Sequence, residues 1–593
     1  MNNEENNSEN SEGMYSYKSD NNNNNINKEE SNNNDTNDNN NKVPIYESNA
    51  IRRSIPNNIN NQEININNQY SNNFQSNTLK NNNINNNINN NTNNNINNNF
   101  NSGSFVGRSS QISIELPQDS ILHWSFILIY IILEVILIIV IALLFDWDKR
   151  NAPKYSCIEL NTDNNTSIST ILGSIYDETE KELSTYYGLF RDINIMAFVG
   201  FGMLHTLTQG NAWTSIAFDI LSIVLSFQIS LFFNLIFENA FKESWNYGIL
   251  NFDTFIKALF NSCAILVTLG AVHGKISHIQ YLVLIISETI LSSLNLKLCD
   301  IKLKIIDTGG GLYIHTFGAL FGLAIYIVLF RSKKKRARLS AYNRSNITNY
   351  LSNITCFIGV LFIINYLPSF NAGLALSDDG RYRAVINTYF SIIGSIVMSF
   401  IITGFIYNGK FIFEYILFGS FSGGIIISTC CSVCLDHWAA LLIGMLCGFI
   451  CIILLEYLNK LFLELGYYDF YNIIIVHGIP GIIGAFISSM FIAGLDQRVD
   501  KYYNILLKDM ERNNRAQSGI QIAAIFITCA ISFVGGITVG FLIKVSRCGK
   551  IKEYFDDSEF FYERLDGEFN NNDFNDNMTN IEDNNQPSFM NDA

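Results

Sequence analysis

The chain has 593 residues, 48% of them hydrophobic, and a formal net charge of −14. The charge sits at the ends: residues 1–118 carry 12 acidic and 7 basic side chains, residues 550–593 carry 12 and 3, and residues 119–549 balance at 29 of each. This excludes a soluble acidic enzyme and a basic nucleic-acid binder, and 11 Cys are too dilute for a secreted disulfide scaffold.

Asn dominates residues 1–104. Such a segment lacks the apolar side chains needed to offset ordering entropy, so residues 1–118 are expected to form a disordered spacer. No apolar core follows Met1, so no signal peptide is expected. A bilayer-spanning helix needs about 20 mainly apolar residues. Twelve runs qualify, near 121–146, 192–209, 213–236, 253–273, 279–299, 310–330, 348–367, 384–407, 411–431, 437–457, 470–493 and 519–544. Gly318, Gly322, Gly535, Gly536 and Gly540 would let helix backbones approach closely. The expected organisation is an all-α membrane domain over 119–549, followed by a disordered acidic tail over 550–593.

Twelve spans put both termini on one side. Arg331, Lys333, Lys334, Lys335, Arg336 and Arg338 follow the sixth run. By the positive-inside rule that loop and both tails are cytosolic. The loop at 496–515 is a weaker counter-signal, with five bases among four acids. Sequons at Asn164 and Asn165 then fall in the first outside loop, where glycans are added, while those at Asn343 and Asn577 face the cytosol.

Ionisable residues at membrane depth are candidates for function. His315 and His477 share the pattern Asp-x7-His-x6-Gly, with Asp307 and Gly322, and with Asp469 and Gly484. Eight helical residues rise about 12 Å, which would put each Asp near a membrane face and each His near mid-depth. The two runs are five apart and therefore antiparallel, as an inverted repeat of five helices requires, with a site at the repeat interface. Other readings of the two His residues are simple helix packing and bis-His haem ligation.

Gly270-Ala-Val-His-Gly-Lys275 lacks the spacing and the final Ser/Thr of a phosphate-binding loop. Cys430, Cys431, Cys434 and His437 are crowded enough for a metal but read better as buried thiols. Glu134 and Asp219 lie within runs and should pair with neighbouring helices. No HEXXH, GxSxG or His-rich iron box is present, so an enzyme is not expected, and no cofactor is implied.

Asp307-Thr-Gly-Gly-Gly-Leu-Tyr-Ile-His315-Thr-Phe-Gly-Ala-Leu-Phe-Gly-Leu323 closely resembles the Rh glycoprotein signature of the Amt/Mep/Rh ammonium transporter family. His477-Gly-Ile-Pro-Gly-Ile-Ile-Gly484 resembles its partner signature. Ala197-Phe-Val-Gly-Phe-Gly202, Gly270–Lys275, Pro368-Ser-Phe370-Asn371 and Arg383-Ala-Val-Ile-Asn-Thr-Tyr389 follow in the family order. The resemblance covers about 185–549, and the first run is similar to the extra N-terminal helix of Rh proteins. It implies a homotrimer in a lipid bilayer with one ammonia/ammonium pore per subunit. By motif position, Phe260 and Phe370 would close the outer mouth and His315 and His477 would line the pore. Asp307 would hold the helix start and vestibule. Departures lie at 469–477, which keeps only Asp469 and His477 of the family segment, at 418–424, and at Leu296, where Rh proteins commonly carry a vestibule Glu. The resemblance thus implies a channel or transporter for ammonia/ammonium, extending to carbon dioxide or methylammonium. It also leaves a second reading, a non-conducting Rh-type scaffold or ammonium sensor whose tails bind cytosolic partners. The membrane would be the plasma membrane or an endomembrane such as the contractile vacuole, endosome or vacuole.

Overall fold

The structure, a computed structural model, describes residues 118–147, 183–340, 348–433, 435–494, 512–545, 551 and 553–561. Helix α1 spans Gln118–Leu144. Helix α2 covers 183–204 and contains a π-helical turn at Met196–Phe201. Then come α3 (Ala212–Lys242), α4 (Phe252–Val272) and α5 (His278–Lys297). Helix α6 opens on a π-helical turn, Gly311–Thr316, and continues as Phe317–Leu329. The basic cluster forms the short helix α7 (Lys333–Ser340). Helices α8 (Tyr350–Ala372), α9 (Asp378–Ile406), α10 (Phe413–Ile427) and α11 (His437–Leu465) follow. Helix α12 again opens on a π-helical turn, Ile474–Gly478, before Ile479–Gly494, and α13 is Asn514–Val545. Ten helices among the described residues are long and apolar enough to cross a membrane. The runs at 192–209 and 411–431 are helical too, but α10 is only 15 residues long.

Helix starts follow local chemistry. Asn251 accepts from the Thr254 N–H at 2.9 Å, and Asn349 and Ser352 form a reciprocal capping box. Ser277 and Gln280 do the same for α5. Packing then follows the small residues. A Cβ on Gly318 would stand 2.4 Å from the Ala264 carbonyl oxygen of α4, and one on Gly536 would stand 2.6 Å from that of Phe321. Without glycine there, α6 could not sit this close to α4 and α13. In the first half α3 packs on α4 and α5, and α4 on α6; in the second half α9 packs on α10 and α11, and α10 on α12. Outward faces are rich in exposed Leu, Ile and Phe, with Phe405 86% exposed, as suits lipid rather than water.

Three features depart from the sequence expectations. The domain is not purely helical: β1 (Phe145–Trp147) pairs in parallel with β2 (Gly248–Leu250), tying the end of α1 to the start of α4. The acidic tail is not wholly separate from the bundle, because residues 553–561 pack on it. Phe555 N–H donates to the Gly274 carbonyl at 2.9 Å, and Asp557 accepts from Trp213 and Thr214 N–H at the start of α3. Third, neither Asp lies on the helix that carries its His, so the eight residues between them are not continuous helix. Asn164, Asn165, Asn343, Asn577 and most of 496–515 lie outside the described residues.

Candidate pore site

Phe260, at the third turn of α4, and Phe370, near the end of α8, are fully buried and stacked, with centroids 4.4 Å apart and planes 13° from parallel. Pro368 lacks an N–H and so removes a ladder bond just before Phe370. Asn371 then anchors that end of α8, donating to Thr388 Oγ1 at 3.0 Å and to the Gly424 carbonyl at 2.9 Å. His315 lies next to Phe370, with ring centroids 6.2 Å apart. Its Nδ1 is 3.1 Å from Nδ1 of His477, and the two imidazoles are 24° from parallel. One nitrogen donates and the other accepts, so the pair shares one proton. No room remains between them for a porphyrin, which removes the bis-His haem reading of this pair. Phe201 stacks on His477, with centroids 6.4 Å apart and planes 26° from parallel.

Phe201, His315, Phe370 and His477 line a narrow cavity of about 10 Å³ with Met196, Cys263, Ile363, Leu367, Phe421 and Ile425. The wall is apolar except for the two imidazoles. His315 and His477 both lie in π-helical turns, and a third such turn carries Met196 and Phe201. Single π turns inside helices commonly mark functional positions, since the extra residue re-aims the side chains.

Both Asp residues precede the helix that carries the corresponding His. Asp307 stands before α6 rather than within it. Gly310 has φ +70°, and the chain folds back so that the Asp307 carboxylate accepts from Gly311, Leu312 and Tyr313 N–H at 2.7, 2.9 and 3.2 Å. Orphan donors of a helix start are thereby satisfied, and the Tyr313 hydroxyl closes on the Asp307 carbonyl. Asp469 likewise precedes its helix, where Asn472 has φ 53°. It accepts from Tyr471 N–H and the Tyr467 hydroxyl. The eight-residue spacing therefore spans a turn plus a helix start in both halves.

Lys275, quoted above only as part of a motif, is buried beside this region. Its ammonium donates to the carbonyls of Ala271 and Tyr468 at 2.7 and 3.1 Å and faces the Tyr326, Phe470 and Phe555 rings. Burial holds its pKa down to about 8, against the upward pull of Asp469.

One cluster escaped the sequence reading. Asp219, expected only to pair with a neighbour, accepts from both His205 (Nδ1, 2.7 Å) and His273 (Nε2, 2.9 Å), and all three are buried. Their ligand atoms lie within 4.8 Å of one another, the one such group with metal-ligand chemistry among the described residues. His273 stood inside the Gly270–Lys275 motif, and His205 is one turn beyond Phe201. With only 7 His in the chain, their concentration in apolar runs was the available signal. Cys430 and Cys431 are buried, with the Cys431 thiol on the Asn371 and Ser428 carbonyls. Among the described residues they form no ligand set with His437, and Cys434 lies outside those residues. Glu134 accepts from Gln228 of α3 at 3.4 Å.

A bundle with ten helices long and apolar enough to cross a membrane defines an integral membrane protein. A profile of the Ammonium Transporter Family matches residues 171–559, and the chain belongs to that family. Its similarity within the family is to the Rh branch. It is 30% identical over 452 residues to the ammonium transporter Rh type C of Oryctolagus cuniculus, covering 74% of this chain and 91% of that one. It is 32% identical over 382 residues to the Homo sapiens protein of the same name, covering 63% and 78%. It is 28% identical over 405 residues to the Rhesus-like glycoprotein A of Dictyostelium discoideum, covering 66% and 75%. The solved structure of Nitrosomonas europaea Rh50 shares the fold, with a TM-score of 0.54 at 22% identity, covering 68% of this chain and 98% of that one.

Proposed function

We propose that the chain conducts ammonia/ammonium through the cavity between the stacked pair Phe260–Phe370 and the paired His315–His477. The observation that carries this reading is the 3.1 Å imidazole pair within an otherwise apolar cavity beneath two stacked rings. Ammonium entering such a space uncompensated would cost many kcal/mol. Ammonia is neutral and needs only a hydrogen-bond donor or acceptor, which the shared-proton imidazoles provide. Aromatic faces at the mouth attract the cation by about 0.5–2 kcal/mol before it gives up a proton. Methylammonium and carbon dioxide are further candidate permeants.

The same reading takes twelve spans, α1–α6 and α8–α13, with the like packing of α3–α6 and α9–α12 supporting an inverted five-helix repeat. Both tails are cytosolic, the Phe260–Phe370 end faces outward, and Asn164 or Asn165 carries a glycan. Three copies assemble in the bilayer, each with its own pore, in the plasma membrane or an endomembrane. Tail partners are cytosolic.

The test is the rate of internal pH rise after an inward ammonium gradient is imposed on proteoliposomes. Wild type should exceed empty vesicles, and His315→Ala and His477→Ala should change the rate by an order of magnitude. An unchanged rate in trimeric wild-type protein overturns the reading. A strong phenotype on tail deletion alone would favour the scaffold or sensor.

A further inference from the structure

Three helices bring polar side chains to one point inside the bundle. His205 opens the single 3₁₀ turn that follows α2, Asp219 lies within α3, and His273 is the first residue past α4. The two imidazole rings have centroids 4.6 Å apart. Asp219 sits between them, with Oδ2 at 2.7 Å from His205 Nδ1 and Oδ1 at 2.9 Å from His273 Nε2. Each oxygen thus has its own nitrogen, and four donor atoms converge. Two ligands bound side by side to one ion at about 2.0–2.2 Å stand about 3 Å apart, which is the spacing of both nitrogen–oxygen pairs.

Charge points the same way. Asp219 is wholly buried, and among the described residues no Lys or Arg pairs with it. The Lys275 ammonium, two residues from His273, points instead at the Ala271 and Tyr468 carbonyls. Hydrogen bonds from two neutral imidazoles would satisfy the carboxylate oxygens yet leave a negative charge inside an apolar bundle, which is costly. A divalent cation between the three side chains offsets it. The surroundings suit ligation as well. The Tyr281 hydroxyl, on α5, lies 3.0 Å from His273 Nδ1, so it can take that proton and leave the Nε2 lone pair facing Asp219. Tyr281 is itself held by stacking on Phe218, with centroids 4.4 Å apart and planes 18° from parallel. The Tyr471 hydroxyl donates to the His205 carbonyl at 2.6 Å and fixes that backbone. Imidazole nitrogens suit zinc and neighbouring transition metals, whereas calcium and magnesium take oxygen ligands.

We propose that His205, Asp219 and His273 bind one divalent transition-metal ion of the zinc class, as a clip that joins α2, α3 and α4. The imidazoles ligate through Nδ1 of His205 and Nε2 of His273, and Asp219 chelates through both oxygens. Phe201, on α2, and Cys263, on α4, line the pore cavity, so the clip fixes the spacing of two helices that wall it. The role is structural and does not depend on the conduction reading.

Metal analysis of the full chain, purified in detergent without a polyhistidine tag, tests the site. Wild type should carry about one zinc-class ion per chain. His205→Gln, Asp219→Asn and His273→Gln that remain monodisperse on size exclusion should lose it. Wild type stripped with a chelator should melt several degrees lower, take up cobalt(II) with visible ligand-field bands, and lose those bands to zinc. Tyr281→Phe keeps every ligand, and its affinity for added zinc should weaken about 10–100-fold. Folded wild type that holds no metal and takes up neither zinc nor cobalt overturns the proposal. So does metal that stays at the wild-type level in all three ligand variants, which would place it elsewhere. Should those variants fail to fold, zinc affinity in Tyr281→Phe equal to that of wild type overturns it.

Discussion

Phe260 lies flat against Phe370, so that two rings from helices far apart in sequence are stacked beside the cavity that Phe370 lines. Removing one ring leaves the other without its stacking partner and opens the space above His315. Phe260→Ala should therefore admit a bulkier permeant. The ratio of methylammonium to ammonium uptake in vesicles is expected to rise several-fold, while His315 and His477 remain in place.

The Asp307 carboxylate accepts three buried N–H groups at the start of α6. Each donor left unpaired costs about 1–3 kcal/mol. Asp307→Ala should sharply reduce the folded, monodisperse fraction on size exclusion in detergent. Asp307→Asn keeps one acceptor oxygen and should fall between Ala and wild type.

At Gly484 a Cβ would stand 2.0 Å from the Ile426 carbonyl oxygen. A backbone atom cannot rotate away, so Gly484→Ala must push α12 off α10. Overpacking of this kind costs about 1–3 kcal/mol, and the melting temperature in detergent should fall by several degrees. Gly494→Ala, where nothing lies within 4 Å, is the control.

Lys275 supplies a pH dependence. Its pKa falls from 10.5 in the ordinary case to about 8 in the fold. Between those values the unfolded chain binds a proton that the folded chain has released, so stability rises with pH across that window. Below about 8 both states are protonated and the penalty, roughly 3 kcal/mol, is constant. Stability measured against Lys275→Met should therefore be flat up to pH 8 and then climb towards pH 10.5 in the wild type alone.

Helix positions were legible because apolar runs near bilayer length have few alternatives, and the His and Phe positions were legible through motif resemblance. The course of the chain between Asp307 and His315 was not. The spacing was read as continuous helix, whereas Gly309, Gly310 and Gly311 permit a turn that brings the carboxylate back onto the helix start. The His205–Asp219–His273 cluster joins three elements, and no local pattern links a residue after α2 to one inside α3 and one after α4. The docking of residues 553–561 was hidden for a related reason. Their acidic composition suggested a free tail, but Asp557 acts as a cap for α3 and Phe555 as an apolar plug.

The π-helical turns at Gly311–Thr316 and Ile474–Gly478 set a tolerance on the gene as much as on the protein. Each holds one residue more than an α-turn would, and everything after it is phased to that count. Deleting a single codon in either turn would let the helix close up as regular α and rotate the His that the turn carries, relative to the rest of its helix, by about 100°. Frame-preserving length changes in these segments should therefore be far less tolerated than substitutions, although the segments look like ordinary stretches of membrane helix.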